Sequence, residues 1–177
     1  HIIIHLAGQS TGSNFTDYKM IDQYCNFVVD KLSGSGINSV VAVGSVVSSW
    51  KELARSYETA VVAVQQSFYQ ESDSVCYYKK TGASTYQFTP EQVEIFSQTL
   101  KKQNRNHALL YIHNLTGEIK QFQNTLVINV LRHYYALICE LMRLAQDEQI
   151  TLYEKIGKEQ DVWVHIQNFS FITQLED

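Results

Sequence analysis

Proline occurs once, cysteine three times and glycine eight times in 177 residues. The single proline, Pro90, rules out a proline-rich tether, and no low-complexity segment or internal repeat is present. Cys25, Cys76 and Cys139 are odd in number, far apart and set among apolar residues. That excludes a disulfide framework or a zinc site and fits small core residues in a reducing compartment. No long apolar run is unbroken. The most hydrophobic segment, 126–145, is interrupted by Arg132, His133, Glu140 and Arg143, so it reads as a water-soluble helix rather than a membrane span. No signal-peptide pattern stands out either. Clustered positive charge is also missing: the net charge is −4, which excludes gripping a phosphate backbone by electrostatics alone.

What is present is a globular composition, 45% hydrophobic, 12% aromatic and 18% charged. That is too apolar for disorder and enough for one domain or two small ones. The first half alternates strand and helix. Ile2–Leu6 reads as a short strand, followed by a polar loop through Ser13. Thr16 or Asp17 can cap a helix with Ile21, Tyr24, Cys25, Val28, Val29 and Leu32 inward. Ser33-Gly34-Ser35-Gly36 ends it, with glycine available for a left-handed cap. A β-branched strand over 39–43 stops at Gly44, and Ser49 with Glu52 has capping-box spacing for the next helix. Trp50, Leu53, Ala54, Tyr57, Val61, Val64 and Phe68 fall on one face of that helix, which is expected to be buried. Tyr57→Ala would then cost about 3–5 kcal/mol. A strand over 74–78 completes a β-α-β-α-β order.

Residues 81–88 read as a polar linker, and from Thr89 onward only helices are expected. Thr89-Pro90-Glu91-Gln92 is a strong helix start, with Val93, Phe96 and Leu100 inward. A helix over 106–119 bears Leu109, Ile112 and Leu115. The longest, over 124–147, turns Val127, Val130, Leu131, Tyr134, Leu137, Ile138, Leu141 and Ala145 inward. Asp161 can cap a last helix with Trp163, Ile166, Phe169 and Leu175. The fold class is therefore α+β: residues 1–80 form an α/β region and residues 89–177 a helical bundle.

No convergent catalytic group stands out. Gly8-Gln9-Ser10-Thr11-Gly12 matches the nucleophile-elbow pattern, but an elbow needs a helix immediately after its serine, and the first cap waits until Thr16 or Asp17. A serine hydrolase using Ser10 stays open only as an alternative. The six histidines have no metal spacing: His107 and His113 are six apart, and His133 and His165 fall on separate helices. Gly34-Ser35-Gly36 leads into a strand, where a phosphate loop needs a helix. Tyr77-Tyr78-Lys79-Lys80 mixes aromatic and basic residues but is a single patch on an acidic chain. Asn14, Asn114 and Asn168 begin glycosylation-type triplets, a short pattern that carries little weight. No cofactor or metal is expected.

The run from SVVAVG through SSWKELARSYETAVVAVQQSFY to SVCYYKK resembles the second half of a GGDEF-type domain. It resembles most the degenerate version in the middle region of bacterial AraC-type transcription regulators and response regulators, where a glycine-ended strand precedes a helix with an S-Y-x-x-A signature. Gly44, Leu53, Ser56, Tyr57 and Ala60 fall on that pattern, and the helical half is similar in layout alone. The resemblance implies a non-catalytic cytoplasmic module that couples an upstream sensor or receiver to a downstream DNA-binding domain. The carboxylates and the GG[D/E]EF turn of the cyclases would lie before His1, so no catalytic residue carries over. With no start methionine and a core-like opening strand, the chain is expected to be a piece of a longer protein. Expected partners are a second copy or neighbouring domains of the parent, with DNA contacted only by a domain outside this chain and no membrane contact. A sensor that binds a small metabolite is the alternative.

Overall fold

Helix α1 (Tyr18–Ser33) buries Cys25 and Val29, with Ile21, Val28 and Leu32 half-buried beside them. The computed structural model describes residues 18–37, 39–69, 75–82, 84–102, 104–150 and 159–176. The expected strand Ile2–Leu6, Ser10 and the caps at Thr16 and Asp17 lie outside the described residues. The end of α1 follows expectation. Gly36 adopts φ 75°, and the Ile37 amide returns to the Leu32 carbonyl at 3.0 Å. Such a left-handed position suits glycine, which has no Cβ to clash.

Strands β1 (Val41–Val43) and β2 (Val75–Tyr77) pair in parallel, Val41 opposite Val75 and Val43 opposite Tyr77. A parallel pair requires a crossover, and α2 (Leu53–Ser67) supplies it. Alternation along the strands assigns the helices to opposite faces. Tyr77 donates its hydroxyl to Asp22 of α1, whereas Gly44, two residues beyond Ala42, packs against α2. The start of α2 departs from a regular capping box. Trp50–Glu52 form a 3-10 turn, Ser49 Oγ accepts from the Lys51 amide at 3.3 Å, and Glu52 takes a bond from the Ser48 hydroxyl at 3.4 Å.

The larger correction concerns the face of α2. Trp50 is 77% exposed and Tyr57 48%, and Leu53, Ala54, Val61 and Val64 are exposed with them. The buried face carries Ala63, Gln66 and Ser67, with Ser56, Thr59 and Ala60 half-buried. Of the expected inward stripe, Phe68 alone is buried. The reason is proximity: the backbone of β1 comes so close that only small side chains fit beneath α2. Tyr57→Ala is therefore expected to change the stability of the chain by about 1 kcal/mol or less, the range of surface substitutions, rather than by a core truncation's cost. Urea unfolding of the two chains measures the difference.

The helical half matches its periodicity closely. Helix α3 (Pro90–Lys101) opens with Gln92 returning its side-chain oxygen to the Thr89 amide at 2.9 Å. Helix α4 (Arg105–Ile119) buries Ala108, Leu115, Thr116 and Ile119, while Leu109, expected inward, is exposed. Helix α5 (Val127–Asp147) buries Val130, Leu131, His133, Tyr134, Leu137, Met142 and Ala145. Tyr24 of α1 is likewise exposed, though expected inward. Helix α6 (Glu159–Gln167) begins before Asp161, which lies inside the helix rather than at its cap; Val162 and Ile166 are buried. A 3-10 turn, Ile172–Leu175, follows. No strand occurs beyond β2 among the described residues.

One core joins both halves. Phe68 and Tyr69, at the end of α2, sit in the same apolar cluster as Phe96, Ile119, Leu137 and Ile166. Polar groups clasp the seam. The Thr125 carbonyl accepts from the Gln65 amide group at 3.2 Å and from the Tyr69 hydroxyl, and Thr125 Oγ1 accepts the Tyr86 amide at 2.7 Å. Buried Gln66 donates to the Lys79 carbonyl at 2.9 Å and accepts the Lys79 amide at 3.2 Å. Tyr86 and Phe88 pack against the core from residues 81–88, which hold neither helix nor strand among those described. Burial and a bond to Glu118 push the Tyr86 phenol up to about 12.

Candidate interaction surface

The residues picked out by the sequence pattern divide into two groups. Gly44, Ser56 and Ala60 meet at one point under α2. A Cβ built on Gly44 would stand 1.9 Å from the Ser56 carbonyl oxygen and 3.0 Å from the Ala60 amide nitrogen. Next to them the Ser45 amide donates to Thr59 Oγ1 at 2.7 Å, and that hydroxyl donates back to the Ser56 carbonyl at 2.9 Å. The glycine, the serine and the alanine are thus demanded by a strand and a helix in direct backbone contact.

Leu53 and Tyr57 belong to the second group, on the outward side of α2. In the 3-10 turn, residues three apart eclipse, so Trp50 lies over Leu53. The stripe continues through Tyr57, Val61 and Val64 along the helix. Ala54 and Glu58 lie along one edge, and no charged residue interrupts the stripe itself. Helix α1 turns Met20, Tyr24 and Phe27 outward in the same way, with the Lys31 ammonium 5.5 Å from the Phe27 ring. Single exposed apolar residues are ordinary; here they line up along each of two helices.

The other candidates stand apart from one another among the described residues. Among the described residues, no group of three or more His, Cys, Asp or Glu is placed to hold a metal ion. His113 Nδ1 lies 3.2 Å from Glu176 Oε2, His165 meets Phe169 edge-to-face, and His107 is exposed. His133 is buried against the Phe88 ring, centroids 4.7 Å apart, and its Nε2 has no hydrogen-bond partner. Burial lowers its pKa to about 4. Sequence periodicity missed this residue, because histidine on a helix face carries no apolar or polar signal of its own. Gly34-Ser35-Gly36 serves as the α1 terminus, and the Tyr77–Lys80 patch is a strand end whose Lys79 and Lys80 reach solvent. An open cleft of about 440 Å³ lies between α5 and α6, lined by Arg132, Tyr135, Trp163 and Val164. The Tyr135 and Trp163 rings meet edge-to-face there, centroids 5.2 Å apart.

Glu140 is held down to about 2, chiefly by its bonds to the Arg143 guanidinium at 2.7 and 2.8 Å; Asp147 takes a third at 2.8 Å. This exposed chelate along α5 is a helix-surface ion pair rather than a reactive centre. Among the described residues, no helix is long and apolar enough to cross a membrane. Comparison with protein-family models, with curated proteins and with solved structures finds no match.

Proposed function

We propose that this chain is a non-catalytic signal-transmission module of an AraC-type transcription regulator, working in the cytoplasm without membrane contact. It couples an upstream sensor or receiver to a DNA-binding domain outside the chain. The observation that carries the reading is the outward apolar stripe of α2, a surface suited to a protein partner and unsuited to chemistry. The contact among Gly44, Ser56 and Ala60 supports it by giving the family-like residues a shared structural task. On this reading a partner bound to α2 shifts the α/β half. The joined core then passes that shift to α5 and onward to the DNA reader.

Three measurements test the proposal. The isolated chain is expected to leave duplex DNA unshifted at physiological salt, since an acidic protein releases few counterions from a duplex. A gel shift that weakens steeply with salt would instead mean that the chain reads DNA itself. In the parent regulator, Val61→Glu is expected to abolish signal response in a promoter reporter while promoter affinity and thermal stability stay near wild type. Unchanged response would remove α2 from the signalling path. Ester hydrolysis lost on Ser10→Ala would replace the proposal with the hydrolase reading.

The cleft beside Arg132 favours one second reading, a small-metabolite sensor. An arginine lining an open aromatic cleft suits a carboxylate with a flat apolar body.

A further inference from the structure

We propose that the outward face of α2 receives the same face of a second copy of this chain, packed antiparallel about a two-fold axis through Tyr57. The inference rests on the signalling reading above and names the partner of its surface. Its first support is the register. Trp50 and Val64 stand seven residues either side of Tyr57, and Leu53 and Val61 stand four either side. An isologous contact between antiparallel helices brings residues at equal and opposite offsets together. Trp50 then meets Val64 of the second copy, Leu53 meets its Val61, and the two Tyr57 rings meet at the axis. Trp50 and Leu53 each face a smaller valine, and the only like pair is the two Tyr57 rings at the axis, which suits close packing across a symmetric seam. The offsets of three and four residues also repeat as in antiparallel helix pairs.

The second support is the charge pattern. No acidic or basic side chain lies on the stripe itself, and Ala54 at its edge leaves room for close approach; the two Glu58 carboxylates come to one rim of the contact, where both are exposed to solvent. Arg55, though exposed, lies on the far side of the helix. The third is area. With Trp50 77%, Leu53 38%, Tyr57 48%, Val61 50% and Val64 46% exposed, the stripe offers on the order of 500 Å² per copy. The pair would bury about 1,000 Å², at the lower limit for a specific interface. That area fits a reversible pairing at micromolar concentration, which a regulatory contact requires, and not a permanent dimer.

Sedimentation and site-directed cross-linking of the 177-residue chain test the inference together. Cys25 and Cys76 are buried, so a Cys139→Ser background suffices. A short bismaleimide is expected to join Tyr57→Cys chains to one another. It should join Trp50→Cys to Val64→Cys only when the two proteins are mixed, and leave Arg55→Cys unlinked. Tyr57→Glu places two carboxylates across the axis and is expected to convert the dimer to monomer at about 100 µM, with an unchanged far-ultraviolet spectrum. A strict monomer at that concentration would overturn the proposal, as would Trp50→Cys linking to itself, which marks parallel pairing. So would a dimer that survives Tyr57→Glu. The signalling reading fails separately: if the chain is monomeric but Val61→Glu still silences the parent regulator, α2 signals through a neighbouring domain.

Discussion

Gly44→Ala is expected to lower stability by about 3 kcal/mol or more, the upper end of overpacking costs. The added carbon would stand 1.9 Å from the Ser56 carbonyl oxygen and 2.9 Å from its carbon, both of them backbone atoms inside α2. A flexible side chain could rotate away, but a helical carbonyl cannot. The strand and helix must separate, and that opens the contact that seats Ala60 and Ala63 and strains the bond from the Ser45 amide to Thr59. Gly44→Val should be worse still. Denaturant unfolding checks this: a midpoint within error of wild type would show that β1 and α2 have room to part. The contrast with Tyr57→Ala is informative, because the large side chain is the dispensable one and the missing side chain is not.

Acid is expected to destabilise the chain through His133 by about 3 kcal/mol at pH 4, relative to pH 7. Folding places this imidazole on the inner face of α5 against Phe88, with Nε2 unbonded, and holds its pKa at about 4, below the unfolded value near 6.5. Between those two values the unfolded chain binds a proton that the folded chain refuses. Stability from the neutral ring is therefore complete above about pH 6.5 and drains away as the pH falls toward 4. His133→Leu removes both the titration and the orphaned nitrogen, so its stability should fall less over that interval. Chemical unfolding of both proteins at several pH values measures the difference. Parallel curves would mean that His133 protonates without opening the core.

Much of the helical half is legible in the sequence because its helices each have one apolar face and one core to meet. Thr89-Pro90 with Gln92 marks the start of α3 to the residue, and the inward face of α5 is read correctly at Val130, Leu131, Tyr134, Leu137 and Ala145. The two short strands and the glycine at the end of α1 are legible for local reasons, β-branched runs and a left-handed stop, whereas the parallel pairing of the strands appears only in the structure. Helix α2 is misread because it has two candidate faces, one apolar and bulky, the other small. The apolar rule chooses the stripe through Trp50 and Tyr57. Ser56, Ala60 and Ala63, spaced for a close backbone approach and preceded by Gly44, hold the evidence for the other side. Gln66 is hidden in the same way: a buried amide is invisible until its bonds to Lys79 are seen. The outward surface of α2 thus emerged from the residues that failed the expectation of burial.

The clasp at Thr125 has a consequence for how the chain opens. Local unfolding is cheapest where backbone bonds face solvent and few apolar contacts are lost. Residues 84–88 have no regular structure, so by secondary structure alone they would be the first to breathe. Their Tyr86 amide, however, ends on the hydroxyl of a threonine that is 1% exposed, and the carbonyl of that threonine holds Gln65 and Tyr69. Freeing that one amide to exchange with water requires loosening a threonine that also clasps the end of α2. The segment is therefore coil in its bonding pattern yet tied to the core, and its Tyr86 amide is expected to exchange slowly in the midst of an irregular stretch, which amide hydrogen exchange measures.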